Sequence, residues 1–330
     1  MFEKLGLALG AVVVGVLGAV ALFWLLNKAC ELLPKKWELR LKPYALLLPA
    51  YAAIGVFLLY PAVETIASSF RRGRNGRLLE FVGFDNYVRL FNDPRFINTL
   101  INNVLWIIVA PAAIVAFGLL VAVLVDKLKP MAEKSAKSII FLPMAISMVG
   151  ASAIWNLVYA WRPGGSSQVG LLNAIIVGLG GSPQTWLQID AFRFNTFLLM
   201  VVYVWTQVGY SMVLLSAALK GVPEDTIEAG RIDGASEGAI FWRIILPQAW
   251  PTVITVFITV LIGVMKLFDI VYAMTNGNYN TNVLGNAFYA ALFRNGDPGT
   301  ASAIVVILII AIIPVLVYQV RQFRLQEANS

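Results

Sequence analysis

The sequence predicts an all-α integral membrane protein whose chain crosses the bilayer seven times. Three observations lead there. Of its 330 residues, 59% are hydrophobic and only 13% charged, whereas a soluble domain of this length is about a quarter charged. Seven stretches, 5–26, 44–66, 98–125, 138–160, 194–219, 251–275 and 299–320, are apolar over the roughly 20 residues a helix needs to cross about 30 Å of hydrocarbon. The net charge of +7 comes from Lys and Arg gathered in short clusters between those stretches. That is where membrane-flanking charge belongs, so the basic balance points to membrane lipid and not to nucleic acid.

Composition also excludes chemistry. The chain has no histidine and a single cysteine, Cys30, which removes the usual zinc, haem and iron–sulfur ligand sets and any intrachain disulfide. No span pairs a nucleophile with a base or a metal set. The expectation is therefore a protein that is not an enzyme and carries no metal or cofactor of its own.

Taken in order, the first stretch has an apolar core, Leu5 to Leu26, longer than the roughly 7–15 residues of a cleaved signal. Five basic residues follow it: Lys28, Lys35, Lys36, Arg40 and Lys42. It reads as a retained anchor with its N-terminus outside and the basic loop inside, so that 1–42 forms an appendage and 43–330 a six-span unit. Alternation then places 126–137, 220–250 and the tail from Arg321 inside, and 67–97, 161–193 and 276–298 outside. Fourteen Lys and Arg fall inside against ten outside, the sign the positive-inside rule requires. The run "RRGRNGR" at 71–77 goes against it. "GLLNAIIVGLG" at 170–180 is too short to span and reads as an interfacial or re-entrant helix.

One inside segment, 220–250, is unlike the rest. Pro223 stands where a helix can begin, and Glu224, Asp225 and Glu228 complement the positive end of its dipole. Asp233-Gly234 breaks it, Ser236 can cap a second short helix, and Ile240, Phe241, Ile244 and Ile245 form an apolar stripe at helical spacing. Pro247 is expected to stop that helix just before the next span. Such a helix–turn–helix knuckle suits docking into a groove on a cytoplasmic partner. An amphipathic loop lying on lipid would have the same pattern.

The residues Glu228-Ala229-Gly230-Arg231-Ile232-Asp233-Gly234-Ala235, followed ten residues later by Leu246-Pro247, resemble the EAA loop of ATP-binding-cassette importer permeases. Gly230 departs from the alanine of the family pattern by one small residue for another. "FVGFDNYVRLF" (81–91), "GSPQTWL" (181–187) and "FDIVYAMTNG" (268–277) are similar to segments of the sugar-transporting branch. The resemblance covers about residues 43–322. It implies a type I permease core of six helices preceded by one extra helix, in the bacterial inner membrane with the C-terminus cytoplasmic. It further implies an ATPase dimer bearing ATP and magnesium, a second permease completing a heterodimer, and an external sugar-binding protein, with maltose or an α-glucoside as the class of cargo. Glu228, Ala229, Gly230, Asp233, Gly234 and Ala235 would form the coupling knuckle, with Phe241, Ile244, Leu246 and Pro247 as its packing side. The chain has no G-x-x-x-x-G-K-[ST] phosphate loop, so hydrolysis would belong to the partner.

A solute path needs hydrogen-bonding groups kept off the lipid. Tyr203, Thr206, Gln207 and Tyr210 share one helical face and suit a sugar; polar glue between helices would look the same. Ser147 and Asn156, with Asn102 and Asn103, are further candidates. Lys266 and Asp269, three residues apart, are expected to form a structural ion pair. A secondary carrier or channel without an ATPase is the competing reading; the lack of unpaired ionisable groups at mid-span speaks against it.

Overall fold

The computed structural model describes residues 2–163 and 166–329. Among the described residues, six helices are long and apolar enough to cross a membrane, or seven if one sharply bent pair counts as a single span. The chain divides into two units, Met1–Ala67 and Ser68–Ser330.

In the first unit, helices α1 (Phe2–Glu31) and α2 (Lys35–Ile54) pack on each other across a three-residue turn. Lys28 pairs with Glu31 at 3.2 Å, and Glu38 with Lys35 at 3.3 Å and Lys42 at 3.9 Å, so part of the basic loop is neutralised locally. The boundary expected between residues 42 and 43 has no counterpart in the backbone, because α2 runs through it unbroken. A π-turn, Gly55–Leu59, carries the chain into α3 (Tyr60–Ser69), whose second residue is Pro61. The wider turn accommodates a residue that cannot donate its backbone N–H.

The second unit opens with a hairpin of β1 (Arg71–Arg74) and β2 (Arg77–Phe81), then α4 (Asp85–Asn92). Helix α5 (Pro94–Val125) starts four residues before the expected 98, because Asp93 accepts from the Arg95 N–H at 2.9 Å and Pro94 occupies the first turn. An oxygen-bearing cap followed by proline is a strong start signal.

The expected span 138–160 is not one helix. Helix α6 (Pro130–Phe141) passes through a 3₁₀ turn at Leu142–Ala145, Ile146 is extended, and α7 (Met148–Val158) leaves at 101°. Pro143 interrupts the first helix, and Ser147 starts the second by accepting from the Gly150 N–H at 3.1 Å. Next, α8 (Leu171–Gly178) occupies the short apolar run as a helix. Its buried Asn173 donates to Ala160 O and Gln184 O and accepts from the Gln184 N–H at 2.8 Å, pinning the following segment to it.

Helix α9 (Phe194–Lys220) is entered through Phe192 and Arg193, both left-handed at φ 53° and 59°. Non-glycine residues in that region need support from their surroundings. Arg193 has it, through hydrogen bonds to Asn98 at 3.1 Å and to Asn102. Against α5 the approach is close: a β-carbon on Gly118 would lie 2.3 Å from Ser211 Oγ. In lipid, helix association rests on such tight packing of small residues, since apolar burial alone drives little.

The segment expected to stop at Pro247 does not stop. After α10 (Glu224–Ile232) and α11 (Glu237–Ile240), a π-turn at Phe241–Ile245 leads directly into α12 (Leu246–Met265), with Pro247 in its first turn. The widened turn relieves the clash of the proline ring with the preceding carbonyls. Nor does 251–275 form one span. α12 ends at Met265, Phe268 is irregular at φ −141°, and α13 (Asp269–Met274) begins anew. Because the helix breaks between them, Lys266 and Asp269 make no ion pair, and both are exposed. Helix α14 (Leu284–Tyr289), another π-turn at Ala290–Arg294 and α15 (Pro298–Asn329) complete the chain.

The core of this unit is formed where α5, α9 and α12 meet, around Trp106, Ile114, Leu199, Met212, Leu215 and Val256. Trp106 stacks edge-on against Tyr203 at 5.9 Å.

Candidate functional site

The knuckle at 220–250 is built by two matched signals, a stop and a start. Asp233 ends α10, and Gly234 sits left-handed at φ 81°. The Ala235 N–H donates to Gly230 O and the Gly234 N–H to Arg231 O, both at 3.0 Å. This is the paired bonding of a glycine-terminated helix, which satisfies the last carbonyls. Ser236 then caps α11 by accepting from the Ala239 N–H at 3.3 Å.

The turn is held shut on both sides. Outside, Arg231 Nε donates to Glu237 Oε1 at 2.9 Å across it. Hydrogen bonding to Glu237 raises the guanidinium above its usual value, and the same bond lowers the Glu237 carboxyl. Inside, Gly230 is buried, and a β-carbon there would lie 2.7 Å from Ile244 Cδ1 and 3.6 Å from Ile240. Glycine at this position therefore makes room for a closer crossing.

The expected residues divide by exposure. Glu228, Ala229, Asp233 and Gly234 are exposed on the outer side of the knuckle; Ala235 is half-buried and Gly230 buried. Phe241 and Ile244 are half-buried and Leu246 buried, so the apolar ridge faces inward and holds the knuckle to its own protein. Pro247 is exposed and does not belong to that packing side. Ile240, at 1% exposure, is the anchor of the stripe. Two residues absent from the expected set stand out on the surface: Ile232, 86% exposed beside the turn, and Trp242, 66% exposed. For Ile232 the only sequence signal was its place one residue before the Asp-Gly break; Trp242, next to the apolar stripe, had none.

Beneath the knuckle lies a cleft of about 700 Å³ lined by Asp126, Lys220, Glu224, Glu237 and Phe241 among others. One wall is a charge network joining three helix ends. Lys137 Nζ reaches Asp126 at 2.7 Å and Glu133 at 2.6 Å, Lys220 reaches Glu133 at 2.5 Å, and Ser216 Oγ donates to Asp126 at 2.7 Å. Hydrogen bonds from Lys137 and then Lys220 hold the Glu133 carboxyl, in the segment 126–137 that joins two spans, down at about 2. Spacing in sequence gives no hint of this network, since Asp126 and Ser216 are ninety residues apart.

The expected solute path is split. Tyr203 and Thr206 are buried at 6% and 1% exposure, and Thr206 Oγ1 donates to Tyr203 O at 2.8 Å, so both serve packing. Gln207 and Tyr210 are half-buried on the same helix. Ser147 is the cap of α7, and Asn156 donates to Ala273 O at 3.5 Å. Asn102, fully buried, donates to Asn280 O at 2.6 Å and Asn282 O at 2.9 Å. Asn195 donates to Tyr279 O at 2.8 Å, and Asn103 to Thr99 O within its own helix. Asn102 and Asn195 are thus clamps on the loop 276–283, where Asn276, Tyr279 and Asn280 all have positive φ.

Residues 95–326 match the family described as binding-protein-dependent transport system inner membrane component. The chain is 42% identical, over 97% of both chains, to the alpha-glucoside transport system permease protein AglF of Rhizobium meliloti. It is 46% identical to the osmoprotective compounds uptake permease protein GgtC of Synechocystis sp., over 84% of this chain and 98% of that one. Among solved structures it resembles a chain of a bacterial ABC transporter involved in the import of the acidic polysaccharide alginate, with TM-score 0.68, 20% identity and coverage of 85% and 94%. It also resembles a chain of a bacterial alginate ABC transporter in complex with alginate pentasaccharide-bound periplasmic protein, with TM-score 0.71, 19% identity and coverage of 83% and 91%. At that identity the likeness concerns the fold. Family model, relatives and helical architecture agree: the chain belongs to the binding-protein-dependent transport system inner membrane components, as a multi-pass permease of the ATP-binding-cassette transporters.

Proposed function

We propose that this chain is one permease of an ATP-driven importer for a neutral polyhydroxylated solute, with an α-glucoside as the favoured cargo. The observation that carries the reading is the rigid, doubly closed knuckle between α9 and α12. Its exposed acidic outer side and its exposed Ile232 are presented on a turn that Gly234 and the Arg231–Glu237 pair keep from collapsing. A loop resting on lipid would need its apolar stripe outward; here that stripe is packed inward, leaving charge at the surface. The partner is an ATPase dimer holding ATP and magnesium in the cytoplasm, where Glu228, Asp233 and Gly234 dock. A second, related permease and an external binding protein complete the assembly, with the N-terminus outside and the C-terminus cytoplasmic.

The relative named for alpha-glucosides, similar along its whole length, supports the cargo class, and so does the absence of any ionised side chain from the half-buried Gln207–Tyr210 face. Closure of the ATPase dimer around ATP would push the knuckles and open the path outward, and hydrolysis would let it reset. The test is a crosslink from Ser236→Cys in the intact cell. Capture of a nucleotide-hydrolysing protein, with ATP-dependent uptake of labelled trehalose or maltose, is expected. Labelling of Ser236→Cys by an impermeant reagent from outside, or no ATPase at that position, sinks the reading. Uptake of glycine betaine in place of the disaccharides would sink the cargo class alone.

A further inference from the structure

The hairpin β1–β2 brings two arginines face to face. Its turn is Asn75-Gly76, both left-handed at φ 50° and 74°, the geometry that a two-residue hairpin needs. The ladder therefore sets Arg74 directly opposite Arg77. Like charges facing across a ladder repel, and both side chains are exposed.

The other arginines of the segment are engaged. Arg72 reaches Glu80 at 3.4 Å and Asp85 at 4.0 Å, Arg89 pairs with Asp85 at 3.1 Å, Arg95 with Asp93 at 3.4 Å, and Arg71 Nε donates to Leu79 O at 3.2 Å. Residues 67–97 hold six arginines against three acids. Those acids are spent elsewhere, and neither Arg74 nor Arg77 takes part in an ion pair among the described residues.

The tip is also braced. The Gly76 N–H donates to Gly296 O at 2.8 Å. A β-carbon on Gly73 would lie 2.4 Å from Asp297 Oδ1 and from the Gly299 nitrogen, so β1 rests directly on the start of α15. The two cations are thus presented by a braced arm at the head of a spanning helix, while the nearby Asp297 carboxylate is taken up by Thr300.

We infer that the Arg74–Arg77 tip is a docking contact for an acidic patch on the external solute-binding protein. The inference rests on the outward placement of 67–97 and on the importer reading above. Charge type selects the occupant. Exposed cations steer and orient a partner that arrives and leaves repeatedly, whereas the core of a permanent interface is depleted of charge. A docked carboxylate patch would relieve the Arg74–Arg77 repulsion, and in return fix the register of the binding protein over the mouth of the permease.

The complete transporter, in discs of zwitterionic lipid, is titrated with its sugar-loaded binding protein while ATP hydrolysis is followed. Arg74→Glu with Arg77→Glu should raise the binding-protein concentration for half-maximal stimulation about tenfold or more, with unstimulated and maximal rates within about twofold of wild type. Arg74→Lys with Arg77→Lys should stay near wild type, since charge and not geometry is at stake. Salt raised from about 50 mM to about 300 mM should weaken the wild-type response, strengthen that of the Glu variant, whose repulsion from the patch it screens, and leave that of a Gln pair nearly flat. If the Glu pair fails to assemble, Arg74→Gln with Arg77→Gln is held to a rise in the same direction and to that flat salt response. An unchanged half-maximal concentration, or an unchanged salt dependence, overturns the inference. A difference that emerges only in discs containing phosphatidylglycerol overturns it too, making the tip a lipid anchor. A wild type indifferent to the binding protein overturns the importer reading and the tip together, whereas a responsive wild type with equally responsive variants overturns the tip alone.

Discussion

Ile244 occupies the space that a side chain on residue 230 would need: its Cδ1 lies 2.7 Å from the position of a β-carbon on Gly230. This single crossing sets the angle between α10 and the helix that leads into the membrane, and so fixes how motion of the knuckle would reach α12.

Enlarging residue 230 tests that crossing. Gly230→Ala should be tolerated, because the terminal methyl of Ile244 can rotate aside. Gly230→Leu should cost about 1–3 kcal/mol through overpacking and splay the two helices. Transport should fall more than tenfold while the protein still inserts, and binding-protein-driven ATP hydrolysis should fall with it. Substrate-driven ATPase activity at the wild-type level in the Leu variant would remove residue 230 from the coupling path.

Gly234 is a different case, since nothing lies within 4 Å of its missing side chain and only its backbone is special. The left-handed conformation costs a side-chain-bearing residue roughly 1–2 kcal/mol. Gly234→Val should therefore uncouple transport, whereas Gly234→Asn, whose side chain tolerates that region, should retain most of it. Equal loss in both would mean that the surface, and not the turn, is what the partner reads.

The clamp at Asn102 predicts a stability effect apart from transport. Asn102→Ala strips hydrogen bonds from the part-buried carbonyls of Asn280 and Asn282 and from Arg193, at about 0.5–1.5 kcal/mol for each bond lost. Asn102→Asp keeps the Arg193 contact but supplies no donor to Asn280 O and Asn282 O. Both variants should melt several degrees earlier in detergent and become sensitive to protease within 276–283, the Ala variant more so. Unchanged protease resistance would show that the loop is held by other contacts.

The network at the ends of α5, α6 and α9 should show coupling between Asp126 and Lys137. Asp126→Asn and Lys137→Met are each expected to destabilise, and the double variant to lose less than their sum, with an interaction of about 0.5–3 kcal/mol in a double-mutant cycle. Strict additivity would reduce the pair to a surface contact.

The solute face can be mapped by contrast. Tyr203→Phe should leave transport unchanged, because that ring is packed against Trp106. Gln207→Leu should raise the solute concentration for half-maximal uptake several-fold. The reverse pattern would move the path to the buried side of α9.

Length, composition and apolar runs were enough to determine a multi-pass helical membrane protein, because bilayer thickness converts directly into run length. The knuckle was equally legible: Asp233-Gly234 and Ser236 act within a few residues of themselves, and local signals survive in a string of letters. What only the tertiary structure decided depends on partners distant in the chain. Pro143 was as visible as Pro247, yet one breaks its helix through 101° and the other is absorbed by a π-turn. The difference lies in whether neighbouring turns can shift their hydrogen bonding. Lys266 and Asp269 had the right spacing for a pair and lost it to a helix break. Asn102 looked like a wall of the path and is a clamp on a loop 178 residues away. A buried amide acquires its meaning from the carbonyls brought to it, and folding alone brings them.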